Sequence, residues 1–108
     1  MDLIEYKDRR DASPFGCWFD DLDPIAAFRV TTALSRLEQG NTSNVKGVGG
    51  GVFETRIEFG PGYRVYFGKD GEMIVILLGG GTKRRQDRDI ADAKAAWADF
   101  KARKKEQG

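Results

Sequence analysis

The sequence predicts an α+β fold in the order β-α-α-β-β-β-α: an antiparallel sheet with an N-terminal helical hairpin and a C-terminal helix, forming a single domain over residues 1–108. Three observations predict it. Two helix starts of the cap–proline type stand at Ser13-Pro14 and Asp23-Pro24. Three segments of strand pattern follow, joined by turns short enough to force antiparallel pairing. The final stretch returns to helical spacing, with Ile90, Ala93, Trp97 and Phe100 on one stripe.

Leu3–Tyr6 opens the chain as a short strand, and Lys7–Ala12 is a polar connection. The first helix runs from Ser13-Pro14 to about Leu22, with Phe15, Trp18, Phe19 and Leu22 at helical spacing. The second carries Ile25, Phe28, Ala33, Leu34 and Leu37 and stops at Gly40. Two such starts in succession predict an αα-hairpin. Residues 40–51, with five glycines among Asn, Thr and Ser, read as a loop. Val52–Phe59 alternates Phe53, Thr55, Ile57 and Phe59 against Glu54, Arg56 and Glu58. Gly60-Pro61-Gly62 turns the chain into Tyr63–Phe67, and Lys69-Asp70-Gly71 makes a second hairpin turn. Met73–Leu78 is apolar on both faces, as a central strand is, and Gly79-Gly80-Gly81 ends it. The last helix is expected from about Arg85 to Arg103, with Lys101–Gly108 frayed.

A length of 108 residues excludes a (β/α)8 barrel, which needs about 250. Apolar residues at 40% and charged residues at 32% suit a modest core and argue against wholesale disorder. There is no histidine, which excludes Ser-His-Asp and Cys-His hydrolases and His-metal sites. One cysteine, Cys17, supports neither a disulfide framework nor a cysteine-rich zinc site and reads as a small buried apolar residue. The start, Met1–Glu5, is acidic and lacks an apolar run, so the expected location is the cytoplasm, with no membrane contact. A net charge of +1 divides unevenly: −3 over residues 1–44, +3 over 45–85 and +1 over 86–108. The basic middle fits either a local anion site or ordinary surface scatter.

Two places could carry chemistry. If Phe59 pairs with Tyr63, then Glu58 faces Arg64 and Arg56 faces Tyr66. Phe53, Thr55, Ile57, Phe59, Tyr63, Val65 and Phe67 then share the core face, leaving Glu54, Arg56, Glu58, Arg64 and Tyr66 on the other. That second face is either solvated, with an exposed Glu58–Arg64 pair worth about 1 kcal/mol or less, or an anion site built on two guanidiniums. The other place is Gly79–Gln86. Its order, Gly81-Thr82-Lys83, fails the spacing of a P-loop, but a glycine run followed by Lys83, Arg84 and Arg85 at a helix start favours an anion. A flexible loop with solvated cations is the alternative. Trp18 and Trp97 read as core residues, and Asp87, Asp89 and Asp92 as acids at the favourable end of a helix macrodipole, so no metal is expected.

Gly51-Val52-Phe53-Glu54-Thr55-Arg56-Ile57 and Gly60-Pro61-Gly62-Tyr63-Arg64-Val65-Tyr66-Phe67 resemble the middle of RelE/ParE-superfamily toxins. The resemblance is to the branch of addiction-module killer proteins, which is HigB-like. Leu77–Lys83 and Gln86–Ile90 with Ala91 and Ala93 resemble that branch's C-terminal signature, and the likeness spans roughly residues 2–100. It implies a RelE-like fold and a type II toxin–antitoxin system. One activity implied is a ribosome-dependent mRNA endoribonuclease (mRNA interferase) that inhibits translation, leaves 2′,3′-cyclic phosphate ends and uses no cofactor or metal. The alternatives are a ParE-like DNA gyrase inhibitor without nuclease activity, and a non-catalytic antitoxin-binding domain. The implied partners are the ribosome, mRNA and a cognate antitoxin, a helix-turn-helix protein encoded nearby. The resemblance places catalysis on Arg56, Arg64 and Lys83, and RNA contacts on Lys46, Tyr66, Arg84, Arg85 and Gln86. It departs from the pattern at Glu54, where some nucleases carry lysine, and it leaves the general base open, with Tyr66 and Glu58 as geometric candidates.

Overall fold

A computed structural model describes residues 1–107. The chain runs β1 (Asp2–Glu5), α1 (Pro14–Asp20), α2 (Pro24–Glu38), β2 (Val45–Gly49), β3 (Val52–Ile57), β4 (Tyr63–Asp70), β5 (Ile74–Thr82), a 3-10 turn (Lys83–Arg85) and α3 (Gln86–Gln107). Both proline helices begin on side-chain caps. Ser13 Oγ accepts from the Gly16 amide and Asp23 Oδ1 from the Ala26 amide, each at 2.9 Å.

The sheet has five strands in the order β1-β5-β4-β3-β2 and is mixed, which overturns the antiparallel sheet expected from sequence. β1 lies parallel to β5, with Leu3 beside Val75 and Ile4 beside Ile76. Tight turns dictate direction only for strands they join, and β1 and β5 are joined by most of the chain. The N-terminal helical hairpin is overturned as well. The chain does open on a strand, as expected from Leu3–Tyr6, but α1 packs chiefly on β5 and α2 on β3 rather than on each other. Phe15 of α1 and Ala26, Val30 and Leu37 of α2 face the sheet, whereas Ile25 and Phe28, expected on the apolar stripe of α2, stand exposed.

A second correction concerns residues 40–51. The glycine-rich loop contains an edge strand, β2, paired antiparallel to β3 with a bulge between Gly47 and Gly49. Val45 and Val48 pack into the cores on opposite sides of the sheet. Gly49, Gly50 and Gly51 all take positive φ, at 97°, 64° and 83°, so only glycine turns the chain this tightly into β3. The glycine run after Leu78 is not a terminus either, because Gly79–Thr82 continues β5 opposite Tyr63–Tyr66.

The β3–β4 register differs by two residues from the expected one. Ile57 pairs with Tyr63, Arg56 with Arg64 and Glu54 with Tyr66. The turn takes Glu58 and Phe59 out of the ladder through bonds from the Phe59 amide to Ile57 and the Gly62 amide to Phe59. A slip of two keeps every side chain on its face but changes every partner.

Helices cover both faces of this sheet. Phe15, Val30 and Leu37 pack with Ile57, Val65, Phe67, Val75 and Leu77 on one side. On the other, Ala93 and Trp97 of α3 pack with Tyr6, Val52, Tyr66, Ile76 and Leu78. The polar face, left open between a solvated surface and an anion site, is thus roofed by α3, which runs to Gln107. No helix among the described residues is long and apolar enough to cross a membrane.

Candidate nucleic-acid interface

The N-terminal turns of α3 close over the end of the sheet where β3, β4 and β5 bring Arg56, Arg64 and Gly81 into one row. Arg64 is only 8% exposed, because α3 lies across it. Its Nη1 donates to the Gly62 carbonyl at 3.1 Å, and its Nε lies 3.5 Å from Glu54 Oε2. Glu54, 1% exposed, also accepts a 2.8 Å bond from Gln86 Nε2. A buried carboxylate needs such partners. Arg64 therefore pairs with Glu54 from inside the sheet, and not with Glu58, which stands exposed in the turn.

The Gly62 carbonyl takes a second bond, from the Lys83 amide at 2.9 Å. That bond fixes the start of the 3-10 turn beside the Arg64 guanidinium. Lys83, Arg84 and Arg85 are exposed there, bordering a groove of about 440 Å³ that Gln86, Asp87 and Arg88 complete. Lys46, exposed on β2, stands opposite Glu54 in register. The structure thus gathers Arg56, Arg64 and Lys83 at one end of the sheet. Arg56 and Lys83 are open to solvent, and the burial of Arg64 departs from the exposed clamp the sequence suggested.

Tyr66, expected to contact RNA, is wholly buried beneath α3. Burial first, then the charges of Glu54 and Asp89, push its phenol well above the ordinary tyrosine range. A phenol held protonated in this way cannot serve as a general base near neutral pH. Among the described residues neither the Tyr66 hydroxyl, Asp89 Oδ2 nor Arg64 Nε finds a hydrogen-bond partner. Burial also raises the Asp89 carboxyl; Arg85 opposes that rise, Asp92 adds to it, and Arg88 opposes it.

Glu54 and Asp89 are the site residues the sequence did not mark as such. For Asp89 the glycine run was the signal. A Cβ on Gly81 would collide with the Asp89 carboxylate, and one on Gly80 with the Trp18 ring on the other face. Adjacent glycines in a central strand let a side chain lie on the backbone from each side. Cys17 is exposed rather than buried, since α1 turns Phe15 to the sheet instead. No three acidic or thiol groups gather as a metal set among the described residues.

No family model matches the chain. It is 42% identical over 81 residues to an uncharacterized protein of Haemophilus influenzae, an alignment covering 74% of this chain and 82% of that protein. At that identity and coverage, the chain belongs to the same family as the Haemophilus influenzae protein.

Proposed function

We propose that this chain is the toxin of a type II toxin–antitoxin module, acting in the cytoplasm as a ribosome-dependent mRNA endoribonuclease. The observation that carries the reading is the meeting of Arg64 and Lys83 on the Gly62 carbonyl, with Arg56 directly opposite Arg64 in the sheet. The likeness of these segments to RelE/ParE-superfamily toxins supplies the reaction class. In the proposed step the 2′-oxygen of one nucleotide attacks the adjacent phosphorus. The bond from phosphorus to the 5′-oxygen breaks, leaving a 2′,3′-cyclic phosphate and a 5′-hydroxyl. Arg56 and Arg64 offset the charge that grows on the phosphorane oxygens, and Lys83 gives a proton to the departing 5′-oxygen. Of the two sequence candidates for the base, Tyr66 is held protonated, which leaves Glu58 to accept the 2′ proton. Lys46, Arg84 and Arg85 contribute backbone contacts along the rim.

One observation favours a second reading. Arg64 is nearly sealed and partly neutralised by Glu54, as suits a domain that binds a partner or DNA gyrase without chemistry. The two readings separate on induced expression with mapping of mRNA ends, run beside a gyrase supercoiling assay. The nuclease reading expects in-frame cleavage ending in cyclic phosphate, reduced by about two to three orders of magnitude in Lys83→Ala or Arg56→Ala. Growth arrest with intact mRNA and inhibited supercoiling would replace it with the gyrase reading.

A further inference from the structure

At the end of the molecule away from Lys83–Arg85, a cavity of about 340 Å³ opens between the segment that follows β1 and the last turns of α3. β4 carries Arg64 near one end and Asp70, on the cavity wall, at the other. At about 3.3 Å per residue the two stand roughly 20 Å apart. Phe100 lines the cavity with a ring stacked on Trp97, the centroids 5.4 Å apart and the planes 6° from parallel. Tyr6 adds a second ring, capped by the Arg103 guanidinium at 5.4 Å. Lys7, Arg103 and Lys104 bring three cations to the lining. Arg103 spends Nη2 on the Lys7 carbonyl and on Asp99, an acid it shares with Arg9. Lys104 pairs with Asp70. Among the described residues no carboxylate lies within ion-pairing distance of Lys7. Glu5 is the other acid on the lining, and its Oε1 lies against Gly16 of α1, where a Cβ would stand 2.8 Å from it.

The three cations thus meet one carboxylate and a share of a second. Arg103 Nη1, Lys7 and the remaining protons of Lys104 are donors that no internal acceptor uses. Such donors favour an anion, and most of all one that several of them can hold together. A phenyl ring already stacked on an indole favours a flat ring on its remaining surface. The volume suits a small molecule, at the lower end of the range of ligand pockets, about 300–1,000 Å³. A bare anion would answer the cations and leave Phe100 in water; a neutral ring would do the reverse. We propose that this cavity binds a small molecule in which a flat ring carries a phosphate or a carboxylate, as in a nucleoside monophosphate or an aromatic acid. The ring extends the Trp97–Phe100 stack, and the anion takes Lys7, Arg103 and Lys104. The ligand ties the segment after β1 to the end of α3. It touches no residue of the Lys83–Arg85 rim and does not depend on the toxin reading.

The test is a titration of the full chain, 15N-labelled, followed by NMR. The probes are adenosine monophosphate and indole-3-acetate, together with their parts: adenosine, indole, inorganic phosphate and acetate. At least one of the two ring-bearing anions is expected to shift and saturate the amides of residues 5–7, 70 and 100–107, and to slow amide exchange over residues 99–107. Saturation by the nucleotide alone assigns a phosphate, and by indole-3-acetate alone a carboxylate. Each part should bind about tenfold or more weakly than the whole. Lys7→Glu should weaken binding by about tenfold or more, and Phe100→Leu by about fivefold or more. Lys105→Glu, an equal charge change on an exposed position of α3 outside the lining, should leave affinity within about twofold. Lys7 is exposed, so Lys7→Glu carries the test even where a far-ultraviolet spectrum shows Phe100→Leu to have lost its fold. The proposal is overturned if neither ring-bearing anion moves these amides, if a part binds as tightly as the whole, if the amides of residues 83–88 respond in preference, or if Lys105→Glu weakens binding as much as Lys7→Glu. Loss of RNA cleavage bears on the toxin reading alone, because none of these variants touches Lys83 or Arg64.

Discussion

Arg64 and Lys83 meet on one carbonyl but answer differently to mutation, because one is buried and the other exposed. Arg64→Ala leaves Glu54 buried with only Gln86 for a partner. That should lower unfolding stability by about 3–5 kcal/mol, whereas Lys83→Ala and Arg56→Ala should stay within about 0.5 kcal/mol. Lost activity in Arg64→Ala therefore does not identify a catalytic role, and the two exposed variants carry that test. Replacing both buried partners, as Glu54→Met/Arg64→Met, should recover most of the stability, since apolar groups need no counter-charge there. Urea denaturation checks both points; an Arg64→Ala variant within 1 kcal/mol of the parent, on the order of a surface change, would mean that Glu54 finds another partner. Gly81→Ala should cost about 1–3 kcal/mol through its collision with Asp89, and Asp89→Ala should relieve much of that cost in the double variant. Alternation alone placed Arg56, Arg64 and Tyr66 on one face, since strand period survives a two-residue slip. It could not show that α3 roofs this face, because nothing in the local pattern of a strand says which helix will cover it.

Among the elements, α3 is held at its far end by a cluster of polar contacts. Tyr6 donates to Asp99 Oδ2 at 2.6 Å, while Arg103 and Arg9 approach the same carboxylate at 3.0 and 3.3 Å. Arg103 also reaches the Lys7 carbonyl, and Lys104 pairs with Asp70. The Tyr6 hydroxyl holds the Asp99 carboxyl below its ordinary range; burial opposes it, and Arg103 and then Arg9 add to the lowering. A carboxylate depressed on folding contributes stability that is present above its unfolded pKa and is lost as pH falls through the lower folded value. Acid should therefore loosen the last turns of α3 before it unfolds the sheet. Amide exchange over residues 99–107, followed from neutral pH downward, should show this opening in the parent. Asp99→Asn should be looser at neutral pH and lack the acid-dependent change; identical profiles for the two proteins would remove Asp99 from the latch. This cluster was not legible in advance, because Tyr6 and Asp99 are joined only when β1 takes its place beside β5.

The whole molecule is a sheet with a core on each side, and the sequence disclosed the two sides unequally. The Phe53–Phe67 face was readable from strict alternation, and the starts of α1 and α2 from their caps. The parallel placement of β1, the edge strand β2 and the strand character of Gly79–Thr82 were not. Each of these is set by a partner distant in sequence, and glycine carries no hydrophobic period. The two-sided core also carries a prediction about cooperativity. Each core alone is small, and they share the central strands, since Val75, Ile76, Leu77 and Leu78 are buried in succession and alternate between them. Stripping α3 would expose Tyr66, Ile76 and Leu78 while leaving Glu54 and Arg64 without their cover, so the layers should come apart together. The two tryptophans report on opposite layers, Trp18 beside the α1–α2 core and Trp97 within the α3 core. In the single-tryptophan variants Trp18→Phe and Trp97→Phe, fluorescence and far-ultraviolet dichroism should give the same urea midpoint within each variant. Fluorescence of Trp97 that changes at lower urea than the dichroism of the same variant would show α3 leaving first and the sheet persisting as a separate unit.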